Sequence, residues 1–170
     1  MESLEVGASY AAHADLLRAY ALEDLPGAWA NLDRVFRLLL GEQFVQLAGS
    51  LMEQISRAAS PDQALRNLSK FIAQSFNPFG FGARLLGSSD LLNFLVQIFG
   101  FSQFLSDILI RNPEYLDYLR APDVLQRPKL LNHYRHEAAQ ALSVFEEAGR
   151  RRDALCRYQR KELLRIGVRD

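Results

Sequence analysis

The chain has 170 residues, 49% hydrophobic and 24% charged, with 20 basic and 20 acidic side chains and a net charge of zero. That size and composition bound it to one domain, or one large and one small, with enough apolar side chain for a sizeable core. Zero net charge argues against nucleic-acid binding over the whole surface, and one cysteine, Cys156, excludes an internal disulfide framework and a Cys-based zinc site.

Apolar residues recur at helical spacing in almost every segment, and no convincing alternating run is present. The reading is therefore all-α, with eight to nine helices in an irregular orthogonal or antiparallel bundle. Tyr10, Ala14, Leu17 and Ala21 predict a first helix closed before Pro26. Trp29, Leu32, Phe36 and Leu39 predict a second, closed by Gly41, and Phe44, Leu47, Leu51 and Ile55 a third. Ser60-Pro61-Asp62-Gln63 has the form of a capping box with proline at the first helical position. The fourth helix then runs through Leu65, Leu68, Ile72 and Phe76. These residues form an N-terminal helical subdomain, 1–76.

Asn77-Pro78-Phe79-Gly80-Phe81-Gly82, with Gly87, reads as a packed aromatic and glycine loop over 77–87 that divides the chain. Ser88-Ser89-Asp90 caps a fifth helix, ended by Gly100, that is apolar almost all round, and such a helix is buried in a bundle. Phe94, Leu95, Ile98 and Phe99 on it, and Leu105 on the next helix, are expected to be buried, and Ser102 caps that next helix. Asn112-Pro113-Glu114 stops that one and starts a short seventh. Pro122 and Pro128 bracket a turn. Leu131, Tyr134, Ala138, Leu142 and Phe145 predict a long eighth helix, broken at Gly149. Residues 88–170 form the C-terminal helical subdomain.

The last stretch, 150–170, concentrates charge. It holds eight of the 20 Lys and Arg but three acids, about +5, so the other 149 residues sum to about −5. Leu155, Tyr158, Leu163 and Ile166 lie on one helical face and are expected to pack on the eighth helix. Arg157, Arg160, Lys161, Arg165 and Arg169 lie off it and are the candidate contacts for a following domain or an anionic ligand. The stretch ends at Asp170 with no Gly or Pro stop, so the natural sequence is expected to continue.

Catalytic signatures are sparse. There is no glycine-rich phosphate loop, His-Glu-x-x-His or nucleophile elbow, and no Asp-x-Asp for a two-metal site. Gly87-Ser88 reads as a helix cap. His133, His136 and Glu137 share a helix at spacing that metal ligands can use, but read as a solvated face. Cys156 beside Arg157 reads as packing. The acidic start, Met1-Glu2-Ser3-Leu4-Glu5, lacks the basic region of a signal peptide, and the longest uncharged run, 91–106, is short of the roughly 20 residues of a membrane span. Both point to a cytoplasmic, reducing setting without membrane contact.

Two stretches together resemble a known family. One holds Gly87-Ser88-Ser89-Asp90-Leu91-Leu92, then Phe104-Leu105-Ser106-Asp107 and Asn112-Pro113-Glu114. The other runs over 155–170 and ends Leu163-Leu164-Arg165-Ile166-Gly167-Val168-Arg169-Asp170. In order and spacing they are similar to the segment before the nucleotidyltransferase core of glutamine synthetase adenylyltransferases, over about residues 85–170. The resemblance implies a parent enzyme that transfers AMP from ATP to a tyrosine of glutamine synthetase and removes it, with Mg²⁺ and ATP as cofactors. It also implies glutamine synthetase and a PII-type regulatory protein as partners. The family's metal-binding acids follow the Arg-Asp end, so no catalytic residue carries over and no cofactor is expected within 1–170. The alternative is a free-standing helical adaptor whose basic helix binds an acidic partner or RNA.

Overall fold

The structure, a computed structural model, describes residues 10–39, 41–126 and 128–169. The acidic start at 1–5 and Asp170 lie outside the described residues. Among them are ten α-helices, one 3₁₀ turn and no strand, as the helical periodicity requires. The helices form two compact units, one ending at Pro113 and one starting at Glu114. The division expected at 77–87 is therefore not where the chain separates.

The first unit holds the 3₁₀ turn Tyr10–His13, α1 (Ala14–Ala19), α2 (Leu25–Leu38), α3 (Glu42–Ser56), α4 (Pro61–Gln74), α5 (Pro78–Leu86), α6 (Ser89–Phe101) and α7 (Gln103–Arg111). α4 is its axis, packed against α2, α3, α5, α6 and α7. Leu65, Leu68, Phe71 and Ile72 recur at i, i+3, i+6, i+7 and are almost wholly inaccessible. Phe71 meets Phe81 edge-on at 5.4 Å and Phe99 at 5.5 Å, so α4, α5 and α6 share one aromatic cluster. Leu95, Ile98, Phe99 and Leu105 are buried as expected, and Phe94 is half-buried. A Cβ on Gly100 would lie 2.8 Å from the Ala58 Cβ and 3.4 Å from the Ala64 Cβ, so this close helix approach needs glycine. Gly100 accordingly sits inside α6 rather than ending it.

Local signals were partly misassigned. Pro26 opens α2 instead of closing the first helix, because Asp24 caps it by accepting from the Gly27 amide at 3.0 Å. The expected 77–87 loop is a correction of the same kind. Asn77 accepts from the Gly80 amide at 2.9 Å and Pro78 holds the first position, so α5 starts where a break was expected. Phe81 and Leu85, one turn apart, supply its buried face. That extra helix makes the count ten. Ser60 makes no side-chain cap on α4, and Gln63 donates to the Phe99 carbonyl at 3.0 Å rather than reaching back. Asp62 instead accepts from the Glu23 and Asp24 amides at 3.0 and 3.1 Å, holding the α1–α2 corner. Ser88 and Ser102 cap α6 and α7 as expected.

The second unit holds α8 (Tyr115–Arg120), α9 (Leu131–Ser143) and α10 (Ala148–Arg169). α9 packs on α10. The break between them lies at 144–147, and Gly149 falls in the first turn of α10.

Candidate functional site

The chemistry of the second unit centres on Glu162, whose side chain is 6% exposed. α10 carries it inward on the same face as Ala154, Tyr158 and Arg165, at i, i+4, i+8 and i+11. One carboxylate oxygen accepts from Lys129 Nζ at 2.8 Å and from the Tyr118 hydroxyl at 2.9 Å. The other accepts from Arg165 Nε at 2.7 Å. Lys129 also reaches Glu137 on α9 at 2.6 Å, and the Tyr158 hydroxyl lies 3.2 Å from Glu137 and 3.3 Å from the Tyr134 carbonyl. Arg165 donates to the Tyr134 hydroxyl at 2.6 Å and is wholly buried, its remaining terminal nitrogen without a partner. The seam thus joins α8, the segment before α9, α9 and α10 through two carboxylates, two cations and three tyrosines.

Electrostatics hold this seam charged. Burial opposes ionisation of Glu162, but hydrogen bonds from Lys129, Arg165 and Tyr118 outweigh it and keep the carboxyl below its ordinary range. Burial works against charge on Lys129 and Arg165 too, and the carboxylates beside them more than offset it, so both are raised. Tyr118 and Tyr158 are pushed up to about 12, first by burial and then by the neighbouring carboxylates. Buried ions at this separation are stable only when every partner is present.

This geometry corrects the reading of α10. The stripe of Leu155, Tyr158, Leu163 and Ile166 was expected to be the packed face, yet Leu155 and Leu163 are 42% and 40% exposed. Ala154, Glu162, Leu164 and Arg165 are buried in their place, and Tyr158 and Ile166 are half-buried. The two stripes are offset by one residue, a rotation of about 100°. Polar partners set the rotation, since Tyr134 and Glu137 on α9 offer hydrogen bonds that leucines cannot answer. Among the candidate contacts, Arg165 is enclosed within the seam and Lys161 lies 3.7 Å over the Tyr118 ring. Arg157, Arg160 and Arg169 are exposed. Lys129, Tyr118 and Tyr134 were missed because their partners lie 31 to 44 residues away in sequence. The spacing of Glu162 and Arg165, one turn apart, was the one local signal of an internal pair.

No three His, Cys, Asp or Glu side chains among the described residues are placed to hold a metal ion, and Glu137 is spent on Lys129 and Tyr158. His133 Nδ1 accepts from the Leu130 amide at 3.4 Å, a helix-start contact. Cys156 is free and half-buried. No helix among the described residues is long and apolar enough to cross a membrane.

Residues 92–170 match the family model described as glutamate-ammonia ligase adenylyltransferase. The resemblance read over about 85–170 is borne out over that range, which starts within α6 and takes in α7 and the whole described second unit. No curated protein and no solved structure matches the chain.

Proposed function

We infer that this chain is a helical piece of a glutamate-ammonia ligase adenylyltransferase, the family that residues 92–170 match, and that it supports AMP transfer without performing it. The family match carries this reading. Two features of the fold support it. The matched stretch begins in α6, a largely buried helix of the first unit, and ends in α10, which the ionic seam ties to α8 and α9 within the second unit. Arg157 and Arg160 lie exposed on α10 and form no ion pair among the described residues, and such guanidinium forks suit carboxylate and phosphate acceptors.

The parent's protein substrate is then glutamine synthetase, its regulator a PII-type protein, its cofactors ATP and Mg²⁺, and its setting the cytoplasm. The test is twofold. Incubating the 170-residue chain with glutamine synthetase, labelled ATP and Mg²⁺ should leave the substrate unlabelled, and labelling above a no-protein blank would defeat the non-catalytic role. Reading the coding sequence past Asp170 should show a metal-binding acidic pair within some tens of residues. A stop codon there would instead favour a helical adaptor.

A further inference from the structure

The second unit carries a groove of about 410 Å³ formed by the start of α8, the end of α9 and the first half of α10. Its floor is apolar: Ala141, Val144, Phe145 and Ala154. Val144 is 74% exposed there. Arg157 and Lys161, one turn apart on α10, stand at the edge, and Glu114 is the single carboxylate lining it. The tyrosine hydroxyls at the site are engaged, Tyr115 to the Arg157 carbonyl at 3.3 Å and Tyr158 to the seam.

We propose that this groove binds an acidic amphipathic helix of a partner protein, with apolar side chains on the Val144–Phe145 floor and carboxylates one turn apart on Arg157 and Lys161. The groove is open along its length, with room for bulky side chains. An apolar floor flanked by cations one turn apart matches the two faces of such a helix, since residues at i and i+4 lie on one side of it. Nucleic acid fits less well, because the floor offers phosphates nothing and two cations make a short track. Charge complementarity extends beyond the groove: residues 114–170 hold 12 basic and 9 acidic side chains, a net of +3, against −3 for residues 1–113.

The test uses the full 170-residue chain and a fluorescein-labelled 16-residue probe with leucines at helical spacing and glutamates between them. Fluorescence anisotropy should give saturable binding that weakens tenfold or more in Arg157→Glu with Lys161→Glu, and again in Val144→Asp. Arg157 and Val144 are exposed, so Arg157→Glu and Val144→Asp should melt as the parent chain does, and each alone should weaken binding at least threefold. A probe with lysine in place of every glutamate should not bind, and a 16-nucleotide single-stranded RNA should not displace the acidic one. Absence of saturable binding, unchanged affinity in the variants, or displacement by the RNA would each overturn the proposal. None of these readouts depends on AMP transfer, so the groove and the family assignment fail separately.

Discussion

The two units bury different chemistry. Around α4 the interior is leucine, isoleucine and phenylalanine, and its polar members are neutral: Asn67 donates to the Phe99 carbonyl and to Gln103, at 3.1 Å each. Around α10 an ion pair joins the apolar residues Leu116, Leu119 and Leu164 inside: Glu162 and Arg165 are both buried, and no residue of α9 is fully buried. An apolar core tolerates the approximate position of its neighbours and is damaged mainly by lost volume. An ionic seam depends on each partner, because removing one strands the others in a poorly solvated place. The first unit should therefore be sensitive to truncation and the second to charge and pH.

The largest expected effect lies in the first unit. Phe99→Ala empties the aromatic cluster with Phe71 and should cost about 3–5 kcal/mol, read by urea unfolding. A loss under about 1 kcal/mol would remove Phe99 from the core. In the second unit, Glu162→Gln keeps the shape and an acceptor but loses the charge facing Lys129 and Arg165. The cost should be about 1.5–3 kcal/mol. Hydrogen exchange would localise it: amides of α9 and α10 should lose protection while those of α4 and α6 keep theirs. Equal loss in both units would mean that the contrast drawn between them is false.

Replacing Glu162, Arg165 and Lys129 together by methionine sharpens the comparison by giving the second unit an apolar seam. Its penalty should fall below that of Glu162→Gln alone, since no buried charge is left unpaired and Glu137, which loses Lys129, is 36% exposed. A larger penalty would show that the ions contribute more than their desolvation costs. pH separates the units without mutation. Glu162 titrates below its unfolded value, so its contribution is present above about pH 4 and is lost as pH falls through the lowered folded value. Tyr118 and Tyr158 titrate at about 12, above their unfolded value of about 10, so stability is lost as pH climbs from 10 toward 12. Exchange protection of α10 should drop at both extremes before that of α4.

The smallest effects belong to the exposed face of α10. Lys161→Ala removes the contact with the Tyr118 ring and should cost about 0.5–1 kcal/mol. Arg160→Glu should change stability by no more than about 0.5 kcal/mol. A thermal melt that falls well beyond these figures for Arg160→Glu would place that side chain in an internal pair.

Helix positions, the serine caps at Ser88 and Ser102, and the burial of Leu95, Ile98, Phe99 and Leu105 were legible in the chain itself. All rest on interactions within four residues or on an apolar face that any neighbour can cover, and such information is local. The family resemblance over the second half was legible for the same reason, as order and spacing along one line. The rotation of α10 and the enclosure of Arg165 were decided only in three dimensions, whereas the helix at Pro78–Leu86 carries a local start signal, the Asn77 cap and Pro78, that also reads as a break. A basic helix has two candidate inner faces about 100° apart, and composition favours the one with more leucine. The choice between them depends on what α8, α9 and Lys129 place opposite, and a carboxylate with three donors around it outweighs two leucines left 40% or more exposed.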